Sequence, residues 1–166
     1  MNEKKEVWLR GKTIAGLSPY LQPVAHALLQ AKEEIEELLD GFPEEKLWAV
    51  LHGMANPGFH LKHIAGVLDR LLTYAEGNLL SEHQLTYLKN EKEADKTSVE
   101  LLGALNTEIE KTIERLKQFS DDELISFRGV GRQQLPSTVI GLCFHAAEHT
   151  MRHTGQLLVT IKMLQT

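Results

Sequence analysis

The chain has few of the residues that staple or anchor small proteins. It contains one cysteine, Cys143, in 166 residues, so no intrachain disulfide can form and zinc sites built on paired cysteines are excluded. No run of about 18 apolar residues occurs, and no membrane-spanning helix is expected. The opening Met1-Asn2-Glu3-Lys4-Lys5-Glu6 lacks the apolar stretch of a signal peptide. Basic excess is missing too. Eighteen Lys and Arg stand against 23 Asp and Glu, a net charge of −5 with histidines neutral. That balance offers no footprint for nucleic acid or anionic lipid. These absences lead us to expect a cytoplasmic protein that takes neither nucleic acid nor membrane as a partner.

What is present is ordinary for a globular domain, with 42% hydrophobic and 25% charged residues. The length suits one domain. We place it at residues 18–166, after a Gly-punctuated lead-in at 1–17. Ser18-Pro19 has the chemistry of a helix start. Leu21, Val24, Leu28, Ala31, Ile35 and Leu38 then keep a 3-4 spacing up to the stop at Gly41. Pro43 to Trp48 suits a short helix. After the break Ala55-Asn56-Pro57-Gly58, the pattern predicts a second long helix from about Phe59 to Glu76, closed by Gly77-Asn78. Residues 80–97 read as a polar connector with room for a short helical piece. A third helix is expected from Thr97 or Ser98 to Phe119. Ile125 to Gln134 loses helical periodicity and suits a loop or short hairpin. Leu135-Pro136-Ser137 reads as the start of a fourth helix reaching about Gln165. Strand signals are otherwise few and repeats absent, so the expected fold is all-α, a four-helix bundle.

Three of the eight histidines fall in the fourth helix, at His145, His149 and His153. Residues four apart share a helix face with Cβ atoms about 6 Å apart, so neighbouring imidazoles can both reach one metal ion at about 2.1 Å. Val139, Leu142, Ala146, His149, His153, Gln156, Thr160 and Met163 form a 3-4 seam that we expect to face the core. His145 lies beside it. Seam histidines are either satisfied polar members of a core or part of a metal site, since burying them unpaired costs a few kcal/mol. From the second helix, His63 shares a face with Phe59 and Val67. The inward candidates are therefore His63 and the 149/153 pair. Three neutral imidazoles would leave an ion its full charge and an open position. The paired Glu-x-x-His pattern of di-iron bundles is absent.

Phe59-His60-Leu61-Lys62-His63-Ile64-Ala65 together with His149-Thr150-Met151-Arg152-His153-Thr154-Gly155-Gln156 resembles the DinB/YfiT-like family of the DinB superfamily. That family pairs a helix-two histidine with a helix-four H-x-x-x-H-x-G-Q motif, and the likeness spans nearly all of residues 18–165. It implies an up-down-down-up four-helix bundle, often a homodimer, with His63, His149 and His153 as ligands of a divalent transition metal. Zinc or nickel leads that expectation, with iron, cobalt or manganese behind. It further implies a metal-dependent enzyme acting on a small molecule. Such an enzyme would be a hydrolase activating water, or an S-transferase or isomerase using a low-molecular-weight thiol. A non-catalytic stress-response or binding bundle, with a structural metal or none, is the alternative. His60, His145 and Glu148 stand nearby as partners of the ligands or as alternative ligands. Cys143 reads as a small buried residue.

Overall fold

A computed structural model of the protein describes residues 5–165. It is mostly helical, with long helices α1 (Gln22–Leu39) and α2 (Pro57–Ala75), a short α3 (Glu82–Lys89), and long α4 (Ser98–Leu116) and α5 (Val139–Gln165). A two-stranded antiparallel hairpin, β1 (Phe127–Val130) with β2 (Leu135–Thr138), precedes α5. The long helices meet in four pairings: α2 with α5, α1 with α5, α2 with α4, and α1 with α4. Between them lies a core that includes Leu28, Ile35, Leu61, Ile64, Leu68, Leu105, Ile109 and Leu157, all fully buried.

Local chemistry sets the helix ends. Asn56 accepts a hydrogen bond from the Phe59 N–H at 2.8 Å, with Pro57 opening α2. Capping boxes at Ser81 and Thr97, closed by Gln84 and Glu100, start α3 and α4. Gly41, with φ of 68°, turns the chain after α1 in a conformation that costs glycine little.

Three expectations are corrected. The first helix begins at Gln22, because Ser18 to Leu21 close a turn in which the Leu21 N–H donates to the Ser18 carbonyl at 3.0 Å. Leu135-Pro136-Ser137 is not a helix start. Pro136 pairs across from Gly129 in the hairpin, so the all-α reading misses a small sheet. In a two-stranded ribbon every strand is an edge, which tolerates proline's missing donor. Helix α5 starts at Val139, whose N–H donates to the Ser126 carbonyl at 3.2 Å while Thr138 Oγ1 accepts from Gly141. Finally, the buried stripe of α5 keeps Val139, Leu142, Ala146 and Thr160 of the expected seam but also runs through Cys143, Ala147, Thr150, Thr154, Leu157 and Ile161. Because α5 packs on both α1 and α2, this stripe is wider than the seam and rotated from it. His149 and His153 end up half-buried on its border, and Gln156 is exposed.

Candidate metal centre

The connector after α3 is fixed onto α2 by a buried lysine. Lys62, 3% exposed, donates to the Glu93 carbonyl at 3.0 Å and to Asp95 Oδ1 at 2.8 Å. Trp48 holds the same connector through Nε1 to the Lys96 carbonyl, 3.0 Å away. This places Glu91, itself 3% exposed, over the middle of α2. Gly66 makes the room. A Cβ there would stand 2.5 Å from Glu91 Oε1 and 2.6 Å from Arg70 Nη1. Glu91 Oε1 accepts from Arg70 Nη1 at 2.7 Å, and Oε2 lies 2.7 Å from His63 Nδ1. A carboxylate only accepts, so His63 Nδ1 carries the proton, and in the neutral ring Nε2 is left as a lone pair.

That lone pair points into a cluster of imidazoles. His63 Nε2 stands 3.0 Å from His149 Nε2. His63, His149 and His153 offer one nitrogen each, all within 4.8 Å of one another. Two nitrogens each about 2.1 Å from a shared ion, at angles between octahedral and tetrahedral, stand about 3.0–3.4 Å apart, so the closest pair fits such an ion. Behind His153, His60 Nδ1 approaches His153 Nδ1 at 2.9 Å. Phe59 stacks on His63, ring centres 5.1 Å apart at 15°.

The electrostatics keep His60, His149 and His153 neutral. Burial pushes His153 down to about 3, helped by His63, His149 and His60. Burial also lowers His149 to about 4, with His63 and His145 acting the same way, and His60 to about 4, with His63 adding to it. His149 Nδ1 is buried with no hydrogen-bond partner. The donor set is thus rich in lone pairs and poor in protons, and it suits a divalent transition cation.

The other expected site residues sit further out. His145 is half exposed, with Nδ1 3.3 Å from Glu148 Oε2 and its ring centre 5.3 Å from that of His149. Glu148 pairs with Arg152, which holds its carboxyl below the usual range, and it orients no imidazole of the close trio. Cys143 is buried, and burial raises its thiol to about 12, so no nucleophilic thiolate forms there. Sequence reasoning missed Glu91. It stands among Asn90, Lys92 and Glu93 in a run that looks solvated throughout, and only long-range contacts bury it.

Two cavities open around the start of α2, the first of them reaching His60. One of about 510 Å³ is lined by Met54, Ala55, His60, Arg152 and Gln156 among others. A second of about 470 Å³ reaches Asn56, Phe59 and Lys92. No helix among the described residues is long and apolar enough to cross a membrane.

Comparison with known proteins adds the family. No curated protein matches the chain. Among solved structures, the crystal structure of a protein from Streptococcus pneumoniae is similar, with a TM-score of 0.64 at 16% identity, covering 90% of this chain and 93% of that one. A likeness at that identity speaks for the fold alone. The description "DinB superfamily" matches residues 27–157, a span that holds His60, His63, Glu91, His149 and His153 together, and the chain belongs to the DinB superfamily.

Proposed function

We propose that His63, His149 and His153 hold one divalent transition metal, zinc or nickel first, and that the protein is a metal-dependent enzyme acting on a small molecule. We read the four long helices as a four-helix bundle in up-down-down-up order carrying this centre between α2 and α5. The observation that carries the reading is the His63 ring. Its proton is committed to Glu91 at one nitrogen, and its lone pair is aimed at His149 from the other. A carboxylate behind a ligating histidine fixes the tautomer and raises ligand basicity, and Arg70 holds that carboxylate in place.

Bound there, the ion would supply Lewis acidity, ionising a water or a low-molecular-weight thiol near neutral pH. The chain's own groups do the rest. Burial keeps His149 and His153 as neutral imidazoles, so metal binding need not displace an imidazolium proton at neutral pH. His60 accepts or donates at His153 Nδ1 and orients that ring without entering the trio. His145 is engaged outside with Glu148, so neither extra histidine closes a fourth position. The cavities bordered by Met54 and Ala55 give a small substrate two approaches. Arg152 lies at the rim of the larger one, where it can meet an acidic group.

The test is a substrate screen on protein loaded with zinc or nickel, covering ester and amide hydrolysis and thiol-dependent transfer and isomerisation. A turnover lost in His153→Ala, with helical content unchanged, supports the enzyme. A bound metal with no turnover in either class would leave the non-catalytic, structural-metal reading.

A further inference from the structure

Helix α5 carries a second seam, turned away from the core. Phe144, Glu148, Met151, Gly155, Leu158 and Lys162 follow one another at alternating steps of four and three, which places them on one helix face. Glu148 and Met151 are half-buried and the other four are exposed. Phe144 is 64% exposed, Leu158 43% and the adjoining Val159 53%. These apolar side chains run along about 27 Å of one helix, and a contiguous apolar strip marks an interaction surface.

The middle of that face lacks a side chain. Gly155 lies inside a 27-residue helix, where glycine is about 1 kcal/mol less favourable than alanine. Its φ is not positive, and a Cβ there would meet nothing within 4 Å. Gly58 of α2 differs, because a Cβ on it would stand 2.7 Å from the Trp48 ring. Neither the backbone nor the packing of this chain asks for glycine at 155. A second helix crossing there does, since side chains at a crossing set the distance between helix axes, about 8–10 Å.

The charges choose the occupant. Glu148 and Lys162 stand seven residues to either side of Gly155. If two copies of α5 pack nearly antiparallel and cross at Gly155, Glu148 faces the partner's Lys162 at both ends of the contact. Met151 then faces the partner's Val159. The face is therefore its own complement, as a two-fold contact between identical chains requires. Glu148 already accepts from Arg152 Nε at 2.9 Å, and a carboxylate has lone pairs for a further donor.

We propose that this face of α5 is the interface of a homodimer, with the two-fold axis passing beside Gly155. Gly155 and Val159 also line the cavity of about 510 Å³ that reaches His60, so the partner's α5 becomes part of that cavity's outer wall. The contact does not depend on the histidines holding a metal. One helix pair makes a small interface, for which a Kd of order micromolar is expected.

The test is sedimentation of the full chain between about 1 and 200 µM, spanning that range. The wild type should pass from monomer to dimer. Gly155→Leu favours the helix but holds the two axes apart, and should stay monomeric with unchanged helical content. Glu148→Lys and Lys162→Glu each set like charges against one another at both ends, and each should weaken association by at least about tenfold. An equimolar mixture of these two variants should regain the dimer, because every 148–162 contact is then between opposite charges. A wild type that is monomeric throughout, a dimer that persists in Gly155→Leu, or a mixture no more associated than either variant alone would overturn the proposal. Should Glu148→Lys fail to fold, Gly155→Leu and Lys162→Glu decide, and wild-type association in either would overturn it.

Discussion

The two polar faces of α2 have been built to opposite rules. Toward α4 the helix presents Asp69, Thr73 and Glu76, and Arg115 answers all three. Its guanidinium reaches Asp69 Oδ1 at 3.0 Å, Thr73 Oγ1 at 3.1 Å, Glu76 Oε1 at 2.6 Å and Glu76 Oε2 at 3.0 Å. Toward α5 it presents His60 and His63 to His149 and His153, with Glu91 as the one carboxylate bonded to any of them. The first face gathers its acceptors onto one guanidinium and ties two helices together. The second brings imidazole nitrogens to 2.9 and 3.0 Å of one another and leaves a buried Nδ1 on His149 with no partner. A self-satisfied network holds a fold together, whereas converging neutral imidazoles, each with one lone pair, have a place for a cation.

If that contrast is right, substitutions on the two faces should separate metal affinity from stability. The largest effect is expected for His63→Ala, which should weaken zinc or nickel binding by more than about 100-fold, beyond what loss of an orienting partner alone produces. Calorimetry beside a circular dichroism check of helical content would show it. His83→Ala, on the exposed start of α3, should leave the metal untouched. Glu91→Gln comes next. It keeps the shape but not the charge behind His63, and we expect a 10–100-fold loss of metal affinity. An unchanged affinity would mean that Glu91 serves only Arg70.

On the α4 side, Arg115→Ala should cost about 1–3 kcal/mol of stability in denaturant unfolding, because it unmakes five hydrogen bonds of a half-buried group. Metal affinity should not move. The smallest effect is a pH dependence. The folded protein raises the Glu108 carboxyl from 4.5 to about 7, so folding favours its protonated form. That contribution is full below about 4.5 and is lost as pH rises through about 7. Melting temperatures of wild type and Glu108→Gln should therefore diverge across that window, with the wild type declining relative to the variant. A parallel course would contradict the burial argument.

Much of this was legible in the sequence, for reasons that mark the limits as well. Long helices show because apolar spacing is local, and the Thr97 and Gly41 boundaries show because capping is local. His63, His149 and His153 could be brought together on paper because each shares a face with core residues. The start of α5 was misread because Pro136 suits a helix N-terminus as well as an edge strand, and only its pairing with Gly129 decides between them. Glu91 was invisible because its burial depends on Lys62, Gly66 and Trp48, residues at least 25 positions away. His60 was noticed as an additional histidine, but its partner His153 is 93 positions away and only the packing of α2 on α5 joins them.

The most direct test of the central claim is the metal content of protein purified without a metal-affinity tag, measured by elemental analysis beside His149→Ala/His153→Ala. About one equivalent of zinc, nickel or another divalent transition metal per chain, absent from the folded double variant, is the expected result. No metal in the wild type even after addition of zinc or nickel, or equal metal in both proteins, would contradict a three-histidine centre.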